Sequence, residues 1–107
     1  MKKNVAAALT AVLLAAAPAA VAADARSENF QTYCSVCHGD DGKGQTEEGK
    51  KKGARDLTNA RWQDKVDDAR LVKSVTKGHD KMPAFEKKLS ADEIKALVAE
   101  VRTLAKK

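Results

Sequence analysis

Apolar and polar positions divide the chain into an apolar leader, three segments with helical spacing and two polar interruptions. Phe30, Tyr33, Cys34 and Cys37 fall at i, i+3, i+4 and i+7, which predicts a helix from about Arg26 to Cys37 with Ser27 able to cap it. Gly39, Gly42, Gly44, Gly49 and Gly53 then punctuate a polar stretch that reads as a long loop unable to hold a helix. Thr58 is expected to cap a short turn carrying Trp62. Val66, Leu71, Val72 and Val75 give an amphipathic helix ending at Gly78. From Gly78 to Leu89 the chain should be extended or looped, because Pro83 disfavours helix at Met82. Ser90-Ala91-Asp92-Glu93 is a capping box, with Leu89 and Ile94 placed as its hydrophobic staple, so a helix starts at Ala91. Its stripe is Ile94, Leu97, Val98, Val101 and Leu104, while Lys95, Glu100 and Arg102 lie elsewhere on the wheel. No stretch alternates with period two for long enough to form a sheet, so the fold class is all-α.

The leader changes the domain count. Lys2 and Lys3 precede an uncharged run from Val5 to Ala17 closed by Pro18, the pattern of a secretory signal. Cleavage is expected after Ala23, with Ala22 and Ala25 as alternatives. The run is shorter than the roughly 20 residues a membrane span needs, which argues against stable insertion. The reading is therefore a signal peptide at 1–23, cleaved, and one domain at 24–107, exported and periplasmic.

Composition then raises a question about the core. One Trp, one Tyr and two Phe are few aromatics for a domain that must bury an interior. Small domains commonly need a disulfide, a metal or another staple. The formal charge of +5 falls once Lys2 and Lys3 leave with the leader, since 18 basic then face 15 acidic side chains, a net +3. This lends little support to nucleic-acid binding. Lys50-Lys51-Lys52, with Glu47 and Glu48 just before it, reads as a solvated loop.

Cys34-Ser35-Val36-Cys37-His38 supplies the chemistry. In C-x-x-C-H, two thiols one helical turn apart can add across the vinyl groups of haem, and the adjacent imidazole can reach the iron. Other uses of the pentapeptide fit less well. A thioredoxin-like dithiol expects a βαβ context, and no strand is foreseen. Zinc wants four ligands where the chain offers two Cys and two His. A plain disulfide leaves His38 without a role. Asp40-Asp41-Gly42-Lys43-Gly44 fails as a calcium loop, because its third and fifth positions are glycine. Gly42-x-Gly44 lacks the strand and third glycine of a dinucleotide site.

A second iron ligand must come from elsewhere in the chain. Met82 lies in a non-helical segment where a thioether can turn inward, although methionine also fills irregular core gaps. His79 is the rival, flanked by Gly78 and Asp80 in a polar setting. Met82 is preferred.

Together these residues resemble a monohaem class I cytochrome c of the short bacterial kind. The resemblance is carried by Phe30, Cys34-Ser35-Val36-Cys37-His38-Gly39, Asp56-Leu57-Thr58, Trp62, and Gly78 followed by Met82-Pro83-Ala84-Phe85. It implies three to five helices wrapped around one covalent haem c, with iron held by His38 and Met82. Phe30 would meet the Leu97, Val98 and Val101 stripe where the terminal helices cross. Arg55 and Trp62 are the expected donors to the haem propionates, packing being the alternative role for Trp62. Two departures stand out. Lys52-Gly53-Ala54-Arg55 lacks the proline whose carbonyl commonly accepts from the ligand histidine, so another carbonyl is expected there. Glu100 and Val101 stand where the family often has an aromatic, so that helix contact is expected to be aliphatic.

A His/Met pair leaves no vacant iron site, which favours a periplasmic single-electron carrier, not an enzyme, with a positive midpoint. Its partners would be redox proteins, docking at a haem edge bearing Lys77, Lys81, Lys87 and Lys88. The alternatives are a haem-based ligand-binding or catalytic protein, a cytochrome subunit of a larger redox complex, and a haem-free thiol oxidoreductase.

Overall fold

The structure, a computed structural model, describes residues 25–106, so the leader and its cleavage site lie outside the described residues. Six helical segments follow one another: α1 (Glu28–Tyr33), α2 (Ser35–His38), α3 (Glu47–Lys52), α4 (Ala60–Lys65), α5 (Asp68–Lys77) and α6 (Ala91–Thr103). Among the described residues there is no strand, only an isolated bridge between His79 and Met82. The fold is all-α.

Six segments exceed the expected three to five for two physical reasons. The first helix is interrupted at Cys34 (φ −111°, ψ −37°), so α1 and α2 are separate segments. The amides of both Cys37 and His38 bond to the Cys34 carbonyl, at 3.2 and 2.9 Å, which restarts the helix directly. The glycine-rich stretch, expected to be loop throughout, contains α3. Thr46 caps it by accepting from the Gly49 amide, Glu47 and Glu48 occupy its first turn, and Lys50, Lys51 and Lys52 its last. Those charges complement the helix dipole, and Gly53 in the left-handed region (φ +67°) closes the helix. End chemistry at both termini outweighs the low helix propensity of Gly49.

Another cap also differs from expectation. Asn59, not Thr58, caps α4, accepting from the Trp62 amide. Thr58 is buried, and its amide and hydroxyl both donate to Asp56 Oδ1. Asp67 caps α5, so Val66 precedes that helix. The Ser90–Glu93 capping box forms as read, with the staple residues Leu89 and Ile94 both buried.

Phe30, with no exposed surface, packs in one cluster with Leu57, Phe85, Leu89, Ile94 and Leu97, and Val101 joins at its edge. Val98 departs from the expected stripe: it faces a second cluster with Val66 and Leu71. A 13-residue helix spreads its apolar stripe over more than about 100°, and α6 uses the two edges against different neighbours. Polar groups tie the same helix down. The buried Gln63 amide donates to the carbonyls of Leu57 and Val101. Arg102 reaches Asp68 Oδ1 (2.8 Å) and the carbonyls of Gln63 (2.7 Å) and Val66 (2.6 Å), a fork geometry suited to guanidinium. The contact between α1 and α6 is not purely aliphatic either: Glu100 accepts from the Ser27 amide (2.8 Å) and hydroxyl (2.6 Å).

Candidate functional site

Between α2, the 52–56 segment and the 79–85 loop lies a cavity of about 420 Å³. That is within the roughly 300–1,000 Å³ of small-molecule and cofactor sites. Cys34, Cys37, His38, Arg55 and Met82 all line it. Five of the six expected cofactor-binding residues thus converge, although Cys34 and Met82 are 48 positions apart in the sequence. Trp62 is not among the lining residues. It packs against the core clusters, and the Arg55 guanidinium sits over its ring at 4.8 Å, a cation–π contact. Trp62 therefore supports Arg55, while Arg55 faces the cavity.

The attachment segment presents its groups by local geometry. The break at Cys34 and the short α2 put both thiols and the imidazole on the cavity wall, and the thiols are not joined in a disulfide. Burial pushes the Cys34 thiol up to about 11, with the charges of Glu100 and Cys37 adding to the effect. Such a thiol is protonated at neutral pH and is a poor nucleophile, unlike the depressed thiols of dithiol oxidoreductases.

His38 is fixed in one tautomer. Its Nδ1 lies 3.0 Å from the Arg55 carbonyl oxygen, which can only accept, so Nδ1 carries the proton and Nε2 keeps its lone pair. Arg55 thus supplies the carbonyl that the missing proline left open. No sequence signal marks it, because the acceptor is a backbone atom. Burial lowers the imidazole's pKa, partly offset by the Arg55 hydrogen bond, and the ring is the neutral form that metals bind.

Across the cavity, Gly78 (φ +86°) starts a tight turn in which the His79 amide donates to the Met82 carbonyl (3.0 Å) and the Met82 amide to the His79 carbonyl (2.8 Å). Both residues line the cavity, but they differ in depth. Met82 packs against the main apolar cluster, whereas the His79 side chain is 58% exposed and lies 3.4 Å from Asp80. The turn brings Lys81 to the cavity as well, with Lys52 opposite. Lys77 instead pairs with Glu86 at 3.0 Å. Two free thiols, a neutral imidazole with an available nitrogen, a thioether and a guanidinium around one cavity fit a haem c held by covalent bonds and two axial ligands.

Comparison with known proteins agrees. Residues 21–99 match the family model described as Cytochrome C oxidase, cbb3-type, subunit III. The Cbb3-type cytochrome c oxidase subunit FixP of Azorhizobium caulinodans is 39% identical over 84 residues, covering 78% of this chain and 27% of that protein. FixP of Bradyrhizobium diazoefficiens is 38% identical over 76 residues, 70% of this chain and 25% of the relative. The chain thus spans about a quarter of the length of these curated relatives. Among solved structures, the KustC0563 c-type cytochrome superposes with a TM-score of 0.70 at 38% identity, covering 74% of this chain and 95% of that one. A point mutant of that cytochrome gives 0.67 at 38% identity, covering 72% of this chain and 94% of that one. The chain belongs to the cbb3-type cytochrome c oxidase subunit III family, as an all-α c-type cytochrome whose cofactor is covalent haem c.

Proposed function

We propose that residues 24–107, released from a signal peptide at 1–23, form a single-electron carrier on the periplasmic side, with one haem c per chain. Cys34 and Cys37 would hold the ring through their sulfurs, and His38 Nε2 and the Met82 sulfur would ligate the iron. The observation that carries this reading is the fixed tautomer of His38, whose Nδ1 proton is held by the Arg55 carbonyl on the wall of the cavity that Met82 also lines. The bound group supplies a metal that cycles between ferric and ferrous states.

The chain's own residues do the rest. Met82 favours the ferrous state, because a thioether stabilises it relative to a second nitrogen ligand. Phe85 and the Phe30 cluster keep water from one side of the site, which disfavours the extra charge of ferric iron. Arg55 is placed to pair with a propionate, and Trp62 holds its guanidinium in position. With His38 and Met82 both ligating the iron, no site would remain there for a substrate, so the domain would move electrons and would not itself be an enzyme. Lys52 and Lys81 at the cavity put positive charge where an acidic redox partner would dock.

A second reading rests on the relatives, which are oxidase subunits several times longer: the domain works docked in a larger complex. Mass spectrometry of the exported protein, with visible spectra of both redox states, tests the first claim. The expected result is a mass increased by one haem and a weak far-red sulfur-to-iron band in the ferric form. A mass equal to the polypeptide alone overturns it. Size-exclusion chromatography of native extract separates free carrier from docked subunit.

A further inference from the structure

Helix α3 and its flanks touch the attachment segment at several places, and together these contacts grip one residue from two sides. The Thr46 hydroxyl donates to the carbonyls of Val36 (2.7 Å) and Cys37 (3.0 Å) while accepting from the Gly49 amide (2.9 Å). The Gly44 amide donates to the His38 carbonyl (2.8 Å). Gly49 is buried so closely against this segment that a Cβ there would overlap the Cys37 carbonyl oxygen. At the far end of α3, the Ala54 amide donates to the Gly49 carbonyl (2.8 Å), which fixes the segment whose next residue, Arg55, accepts from the His38 ring.

We infer that α3 is a clamp that sets the rotation of the His38 imidazole about its bond to iron, with Thr46 as its positioning residue. The Gly44 amide holds the His38 carbonyl, Thr46 holds the Val36 and Cys37 carbonyls just before it, Arg55 holds the ring, and the six residues of α3 set the distance between these grips. An open loop of the same length would not hold that distance. A hydrogen bond to the distal nitrogen raises the donor strength of a ligand imidazole and fixes its plane. Loosening the clamp therefore weakens that bond, destabilises ferric iron and raises the midpoint potential. The inference rests on the ligation proposed above.

The test compares holoproteins by low-temperature electron paramagnetic resonance of the ferric form and by redox titration. Wild-type protein with no haem signal rejects the ligation itself, before any variant is made. Given a low-spin wild-type signal, Thr46→Val should broaden it and raise the midpoint by a shift equivalent to roughly tenfold in the reduction equilibrium, about 59 mV for one electron. Thr46→Ser keeps the hydroxyl and should restore both. Asp67→Ala removes a comparable helix cap on α5 and should lower thermal stability while leaving signal and midpoint unchanged. A Thr46→Val holoprotein with wild-type signal and midpoint overturns the inference, as does an Asp67→Ala protein that shifts them equally. Should Thr46→Val not mature, Thr46→Ser decides: a mature protein with wild-type signal supports the role of the hydroxyl, and a shifted one overturns it.

Discussion

The carboxylate of Glu100 accepts two hydrogen bonds from Ser27, 73 positions earlier, and so joins the cap of α1 to the last turns of α6. Ser27 simultaneously caps the Phe30 amide, and the Glu100 side chain is only 16% exposed, 4.0 Å from Arg26. Removing one charged acceptor from this arrangement, as in Glu100→Ala, should cost about 1.5–3 kcal/mol. For a domain of this size, the thermal midpoint should fall by about 4–8 °C per kcal/mol. Glu100→Gln, which keeps one of the two acceptor oxygens and replaces the other with an NH2 donor, should lose less.

On the proposed ligation, Met82→Ala should abolish the far-red band and lower the midpoint potential, because a weaker or nitrogenous ligand would take the place of the sulfur. His79→Ala should leave the band intact, since its imidazole is largely exposed while Met82 packs against the core. Visible spectra and redox titration of the two variants check both outcomes. A wild-type protein that lacks the band, with a spectrum shifted by His79→Ala and unmoved by Met82→Ala, reverses the assignment.

Two glycines, one inside α3 and one at its end, separate steric from conformational effects. Gly49→Ala places a methyl against the Cys37 carbonyl and should sharply reduce the yield of haem-bearing protein. Gly53→Ala meets nothing within 4 Å, yet sits at φ +67°, so it should cost only about 1–2 kcal/mol through the left-handed backbone. Chemical denaturation of the holoproteins measures the difference.

Asp56 gives the acid limb a definite sign. Its carboxylate accepts from the side chain and amide of Thr58, and this holds its pKa below the usual 3.8, with Lys43 and Lys106 assisting. A carboxylate depressed on folding contributes stability fully above the unfolded pKa and loses it as pH falls through the folded one. Stability should therefore decline below about pH 4, and Asp56→Asn should flatten that decline. Denaturation midpoints between about pH 2.5 and 6 test this. The group is largely solvent-exposed, so the slope change should be small and weaker at high salt.

The parts legible in the sequence are those written in side-chain spacing. The Ser90–Glu93 box, the α6 stripe, the end of α5 at Gly78 and the pentapeptide of Cys34 to His38 all appear where their patterns place them. What the pattern does not carry depends on backbone atoms or on polar groups with no period. The Arg55 carbonyl has no side-chain signature, α3 hides among glycines because its stability comes from its ends, and Gln63 and Arg102 act by burying donors against carbonyls. Trp62 suits a propionate donor by residue type, but the tertiary fold turns its ring to Arg55 and the core.

The turn from His79 to Met82 is closed by two reciprocal backbone bonds, with Asp80 held at φ +53° between them and Gly78 pressed to the Met82 carbonyl. The Met82 backbone is thereby fixed relative to Gly78 and the end of α5, which leaves side-chain rotation as the means by which its thioether reaches the cavity.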